Sequence, residues 1–220
     1  MGTIAENIKN YTDELPEGVD LIAISKTKPI EALKEAYDAG QRIFGENKVQ
    51  EMTDKWEQLP KDIKWHMVGH VQRNKVKYMA PYVDLIHAVD SLKLLKEINK
   101  QGEKKDRIIR CLLQVKIAEE DSKFGLTAAE AEEILESETY REFKNVAVVG
   151  LMGMATNTED TSKVNKEFDF LASVLKNLQI KYPVLKELSM GMSGDYKIAI
   201  ENNSTMVRIG SAIFGERNYN

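Results

Sequence analysis

Three observations predict an α/β fold whose parallel sheet closes into a (β/α)8 TIM barrel: about eight short apolar or β-branched runs, segments of helical period between them, and polar or glycine residues where the runs end. The stretch Gly2 to Glu14 is polar, and within it Ile4–Thr12 reads as an extra helix ahead of the first strand. The first strand, Leu21–Ser25, lies in the run Asp20-Leu21-Ile22-Ala23-Ile24-Ser25-Lys26, and Thr27-Lys28-Pro29 must then turn the chain away. Helical period continues over Glu31–Ala39, and the same alternation repeats. Strands are expected at Arg42–Phe44, Trp65–Val68, Leu85–Ala88, Ile108–Ile117, Val146–Met152, Glu187–Met190 and Met206–Ile209. Helices are expected between them at Lys48–Gln58, Gln72–Met79, Leu92–Lys100, Ala128–Glu136, Lys163–Lys181 and Tyr196–Glu201. An open, doubly wound sheet is the alternative, but it would normally carry fewer strands and a glycine fingerprint after the first, which this sequence lacks.

Composition narrows the class. At 220 residues and 42% hydrophobic the chain can bury a sizeable core, and no Pro/Gly/Ser-rich linker or charge block divides it, so one domain over residues 1–220 is expected. A formal charge of −4 provides no basic surplus for a nucleic-acid partner. The single cysteine, Cys111, excludes an internal disulfide and a cysteine zinc cluster, and fits a reducing compartment. No signal peptide or membrane-spanning segment is visible, so a cytoplasmic protein, expected to be a monomer, is the reading.

The barrel expectation carries a test, because a working barrel gathers its chemistry at the carboxyl ends of its strands. Lys26 ends the first run, Gly45-Glu46-Asn47 the second, Gly69-His70 the third and Asp90-Ser91 the fourth; Ser122-Lys123-Phe124-Gly125 comes after the fifth and Met152-Gly153-Met154 ends the sixth. The last two give Ser189-Met190-Gly191-Met192-Ser193-Gly194-Asp195 and Val207-Arg208-Ile209-Gly210-Ser211. Glycine permits close backbone approach, and serine hydroxyls with freed N–H groups donate to an oxyanion, so these two turns suit a phosphate. A partly desolvated lysine is held toward its neutral form and can condense with an aldehyde, which makes Lys26 a Schiff-base candidate. Strand one adjoins strand eight in a closed barrel. Amine and phosphate cup can therefore sit at opposite ends of one small ring, which describes a pyridoxal 5'-phosphate site.

Five segments then carry a resemblance: Ile22-Ala23-Ile24-Ser25-Lys26-Thr27-Lys28-Pro29, Phe44-Gly45-Glu46-Asn47-Lys48-Val49-Gln50-Glu51, Trp65-His66-Met67-Val68-Gly69-His70-Val71-Gln72-Arg73-Asn74-Lys75, Leu188-Ser189-Met190-Gly191-Met192-Ser193-Gly194-Asp195 and Val207-Arg208-Ile209-Gly210-Ser211-Ala212-Ile213-Phe214-Gly215. In this order they closely resemble the YggS/PROSC family of pyridoxal-phosphate homeostasis proteins. The resemblance implies a single barrel like the cofactor domain of alanine racemase, with pyridoxal phosphate held as an internal aldimine on Lys26. It implies a role in buffering the cofactor and delivering it to apoenzymes, without established turnover. It places Ser193, Gly210 and Ser211 at the phosphate, Arg208 toward the pyridine nitrogen, and Asn47 and His66 near the ring. A cationic donor keeps the ring nitrogen unprotonated and makes the ring a poorer electron sink, which disfavours carbanion chemistry.

Other residues have blander readings. His66 and His70 are four apart on a strand-to-loop segment and do not share a face, so a metal pair is not expected. His87 reads as a satisfied core histidine. Met152, Met154, Met190 and Met192 line a flexible pocket or fill core, Lys123 is a solvated lysine or a rim residue for cofactor transfer, and Glu46 is an anchor behind the site or a general base. Beside the carrier stand two other classes: a weak pyridoxal-phosphate-dependent amino-acid racemase, or a decarboxylase using the same lysine, and a cofactor-free phosphosugar enzyme. Racemisation needs acid and base on opposite faces of the substrate carbon, and the racemases take the second from an added β domain that the residues after Gly215 have no room for.

Overall fold

The computed structural model describes residues 2–118 and 124–215. Among them, eight parallel strands close on themselves in chain order. They are β1 (Asp20–Ile24), β2 (Ile43–Glu46), β3 (Lys64–Met67), β4 (Val83–Val89), β5 (Ile109–Gln114), β6 (Val146–Met152), β7 (Glu187–Met192) and β8 (Met206–Ile209). Around them lie α1 (Ile4–Glu14), α2 (Ile30–Asp38), α3 (Val49–Gln58), α4 (Val76–Met79), α5 (Leu92–Glu103), α6 (Ala128–Glu136), α7 (Glu138–Arg141), α8 (Thr161–Lys181), α9 (Tyr196–Glu201) and α10 (Ser211–Phe214). The expected barrel and its leading helix are both present. Closure is made by β1 against β8, in a register that sets Ile22 opposite Arg208 and Ala23 opposite Ile209.

Departures from the expected elements have local causes. The strand expected over Ile108–Ile117 ends at Gln114, because the chain there turns to take up the next loop. Gln114 O accepts from Leu126 N, Lys116 N donates to Leu126 O, and Gln114 Nε2 donates to Phe124 O. Val115 and Ile117 are nonetheless buried, so apolarity extended the run beyond the ladder. The helix expected over Gln72–Met79 divides into a 3-10 turn at Arg73–Lys75 and the short α4. Neither α7 nor α10 was foreseen, since four residues are too few to display a helical period.

Alternation distributes side chains to the two faces of the sheet, interrupted along β3 to β6 by register shifts such as the one that sets Val83 opposite Trp65 but Leu85 opposite His66. Outward residues such as Phe44, Trp65, Val83 and Leu113 join Leu33, Met52, Phe168 and Leu171 of the helices in the main core. Inside the barrel a smaller apolar cluster of Ile22, Leu85, Ala88, Leu112, Met152 and Met206 fills one part of the interior. The rest is polar: His66, His87, Ser189 and Arg208 are buried there and bond to one another. Burying such groups is tolerable only with partners.

The extra helix braces the far end of the chain. Thr3 caps α1 in a reciprocal capping box with Glu6, and Ile8 is buried. Asn7 Nδ2 donates to Ile213 O at 3.0 Å, and Tyr196 Oη donates to Glu14. So α1 holds α9 and α10, the helices next after the last two turns. No helix among the described residues is long and apolar enough to cross a membrane.

Candidate functional site

A cavity of about 520 Å³ opens at the carboxyl ends of the strands, within the size range of small-molecule sites. Lys26 and Lys28 reach it from the turn after β1, Asn47 from just past β2, Ser193 from just past β7, Arg208 from β8, and Gly210 and Ser211 from the turn into α10. Among the described lining residues there are three basic side chains, Lys26, Lys28 and Arg208, and no carboxylate. In a chain of net charge −4 this local excess of positive charge is a built feature.

The turn that carries Lys26 is held from below. Thr27 has φ +64, a left-handed conformation unusual for a β-branched residue, and its N–H donates to Glu51 Oε1 at 2.6 Å. Lys55 of α3, only 5% exposed, sends its ammonium to Ser25 O at 2.8 Å, Glu46 Oε1 at 2.7 Å and Glu51 Oε1 at 2.7 Å. Ser25 Oγ donates to the same Glu46 oxygen at 2.6 Å. Glu46 is therefore an anchor beneath Lys26, engaged away from the cavity. Burial pushes its carboxyl above the usual range, against the opposite pull of Lys55 and Ser25. On the other side, Lys28 Nζ donates to Phe214 O at 3.1 Å and Gly215 O at 2.9 Å, tying the β1 turn to the end of α10.

Two glycines are required by this packing. A Cβ on Gly69 would fall 2.4 Å from Asn47 O, so only glycine lets the β3 turn lie against Asn47. Gly191 sits at φ +91 with Ala199 and Tyr196 against it, and this bend brings the next residues, Met192 and Ser193, to the cavity.

Arg208 is buried between β7 and β6. Its Nη1 donates to Ser189 Oγ at 2.6 Å and its Nη2 to Gly153 O at 3.0 Å. Burial lowers its pKa to about 10, far enough above neutrality that it stays charged. No ion pair among the described residues compensates that charge directly.

Six of the seven residues singled out from the sequence, Lys26, Asn47, Ser193, Arg208, Gly210 and Ser211, line this one cavity. His66 does not. It is 2% exposed, inside the barrel and below the cavity, because it lies within β3 two residues short of Val68, and Val68 and Gly69 form the wall. Its Nδ1 is hydrogen-bonded to His87 Nε2 at 3.0 Å, and burial pulls both imidazoles below their ordinary pKa. His87 is a partnered interior histidine, as read from the sequence. His70 instead reaches the cavity rim, stacks on Phe124 at 4.9 Å and lies 3.4 Å from Asp90. Met154 and Met192 line the wall, whereas Met152 and Met190 are buried core. Ser122 and Lys123 lie outside the described residues. The sequence reading passed over Gln114, which lines the wall, and Lys55; for Lys55 the one available signal was its spacing of four from Glu51.

The family model described as alanine racemase, N-terminal domain, matches residues 1–218. The chain belongs to this family. Within it, the chain is 40% identical to the pyridoxal phosphate homeostasis protein of Vibrio alginolyticus, with both chains covered in full. It is 41% identical to the human protein of that name over 90% of this chain and 77% of the human one. Among solved structures, PipY of Synechococcus elongatus with pyridoxal phosphate bound superposes with a TM-score of 0.88, at 34% identity, over 97% of this chain and 100% of that one. The chain is a member of the pyridoxal phosphate homeostasis proteins, and the expected fold and family both hold.

Proposed function

We propose that this protein binds pyridoxal 5'-phosphate in the cavity at the carboxyl ends of its strands and serves the intracellular homeostasis of that cofactor, buffering it and delivering it to apoenzymes. The observation that carries the reading is the composition of the cavity wall: three basic side chains, two serines and no carboxylate among the described residues. That donor set suits a phosphorylated aldehyde. In this reading Ser193, Ser211 and the backbone at Gly210, all on the cavity wall, donate to the phosphate, and Lys26 supplies the amine that condenses with the aldehyde. Asn47 lies on the same wall. The PLP-bound relative supports the cofactor, and the shared name supports the homeostatic role.

When bound, the cofactor would supply an electrophilic carbonyl and a conjugated ring. The side chains of this protein restrain that chemistry. A charged Arg208 facing the pyridine nitrogen opposes its protonation, so the ring stays a weak electron sink. Tyrosine is absent from the described wall, and His70, the one histidine there, is stacked on Phe124 beside Asp90. A non-catalytic carrier is the reading these features favour, and we take it to be one cytoplasmic barrel domain acting as a monomer. His70 is the group on which the alternative, a weak amino-acid racemase, would depend; chiral analysis of alanine incubated with the loaded protein separates the two.

The direct test is the visible absorption spectrum of the protein mixed with pyridoxal phosphate, then hydride reduction and peptide mapping. A yellow species trapped on Lys26 is expected. Lys26→Ala should lose the covalent adduct and retain weaker binding through the phosphate donors. An adduct of unchanged intensity in Lys26→Ala, or labels spread over surface lysines, would refute the assignment.

A further inference from the structure

Beneath the cavity runs a polar chain that cofactor binding alone leaves unexplained. Arg208 Nη1 donates to Ser189 Oγ at 2.6 Å, Ser189 Oγ lies 2.9 Å from His87 Nδ1, and His87 Nε2 lies 3.0 Å from His66 Nδ1. His66 Nε2 then faces Asp84 Oδ2 at 3.4 Å, an electrostatic contact longer than a good hydrogen bond. Asp84 is the second residue of β4, at the opposite mouth of the barrel from the cavity, where Arg110 of β5 lies 3.5 Å from the same carboxylate. The series therefore extends along the barrel interior from the amino-terminal mouth to the cavity floor.

We infer that Ser189, His87, His66 and Asp84 are positioning residues for Arg208, forming a one-way hydrogen-bond relay in which both imidazoles are neutral and carry their proton on Nε2. The inference rests on the reading of Arg208 as the partner of the cofactor's ring nitrogen. Its direction is set by what each group can do. A guanidinium has donors only, so Ser189 Oγ must accept from Arg208. The serine proton then goes to the acceptor within its reach, His87 Nδ1, which makes His87 an Nε2–H tautomer. His87 donates to His66 Nδ1, and His66 Nε2–H points at the Asp84 carboxylate. The reverse order leaves a buried serine proton without an acceptor and turns a nitrogen lone pair toward a carboxylate, two losses with no gain.

The arrangement substitutes for a counter-ion. A carboxylate in direct contact would cancel the charge of Arg208 and take up its donors. Here the guanidinium is fixed by a hydroxyl and by Gly153 O, neither of which neutralises it; Asp195, after β7, favours its charge without pairing with it, and aligned dipoles connect it to the Asp84 carboxylate that Arg110 shares at the other mouth. A proton added to His66 Nδ1 would face the His87 N–H and reverse every bond up to Ser189. The charges that oppose or assist it are Asp84 from β4, Arg110 from β5, Arg208 from β8 and, more distantly, Asp20 at the start of β1. Interior burial favours the neutral rings.

Long-range proton–nitrogen correlation NMR on the full-length protein reads this directly, because only three histidines need assignment. His66 and His87 are expected to show Nε2–H patterns that hold steady across roughly pH 5 to 8, while rim-exposed His70 serves as the comparison. An Nδ1–H pattern, or a titration of either ring near its ordinary midpoint of about 6.5, would overturn the relay. Ser189→Ala removes the acceptor that orders the chain, so His87 should become a mixture of tautomers even without cofactor, and cofactor affinity should fall roughly tenfold. His87→Phe should weaken binding to a similar degree with the adduct still on Lys26; unchanged affinity in both variants would refute the positioning role. Should the wild-type protein take up no pyridoxal phosphate, the cofactor reading fails, and the ring patterns still decide the relay.

Discussion

Lys55→Met is expected to destabilise the protein by about 3–5 kcal/mol, the cost of leaving a buried carboxylate without its cation. The figure comes from the groups that would be left alone. Lys55 Nζ bonds to Ser25 O, Glu46 Oε1 and Glu51 Oε1. Glu51 is partly solvated and should account for no more than about 1 kcal/mol. Glu46 is fully buried, its Oε2 already has no partner, and Oε1 would keep only the Ser25 hydroxyl. Glu46→Gln in the Lys55→Met background removes the stranded charge, so the double variant should recover about 2 kcal/mol or more. The sign of the pH dependence is also fixed. Burial already raises the folded pKa of Glu46, and loss of Lys55 raises it further. A carboxyl raised on folding contributes stability that is present below its unfolded pKa and disappears as pH rises through the folded value. The deficit of Lys55→Met should therefore be larger in alkaline than in mildly acidic buffer. Urea unfolding of the wild type and both variants, at two pH values, measures all of this. A deficit below about 1 kcal/mol, or a double variant no more stable than Lys55→Met, would refute the anchoring of the Lys26 turn by a buried ion pair.

Other perturbations test other parts of the structure. Gly191→Ala forces a Cβ to within 2.6 Å of Ala199 and into a positive-φ position, so it should cost about 1–3 kcal/mol and weaken phosphate-dependent binding together, as read by thermal unfolding and absorbance titration. Cys111 is wholly buried, and that burial pushes its thiol far above the ordinary range, so a disulfide reagent should label it only after denaturation. Rapid labelling of the native protein would contradict the packing of β5.

The sequence made the barrel legible because strand and helix periods alternate cleanly and because each strand ends in glycine or polar residues. It was equally informative about the cavity wall, which is formed largely by residues at or just past strand ends. Lys26, Ser193 and Ser211 are each one or two residues past a strand end, a position that can be counted. What counting missed was depth. His66 is only two residues before Val68, yet a strand advances more than 3 Å per residue, so two residues separate a wall position from the interior below it. Lys55 was hidden for a different reason. Its neighbours Ser25, Glu46 and Glu51 come from three separate elements, and nothing in the spacing of a lone lysine on a helix reports that it points inward. The end of β5 was overextended because Val115 and Ile117 remain buried after the ladder stops, and apolarity alone does not distinguish a strand from the loop that packs beneath its neighbour.

The pairing of β1 with β8 has a consequence for biogenesis. Lys26 and Ser211 are brought together by strands about 185 residues apart in sequence, at their register pair Ile22 and Arg208, the largest loop closure in the fold. A nascent chain carrying the lysine cannot complete the cavity wall until nearly all of its length has left the ribosome. Contacts of such long sequence separation also form slowly. Competence to take up a reactive aldehyde should thus arrive late, with the last strand, and a fragment ending before β8 should leave Lys26 an ordinary surface amine.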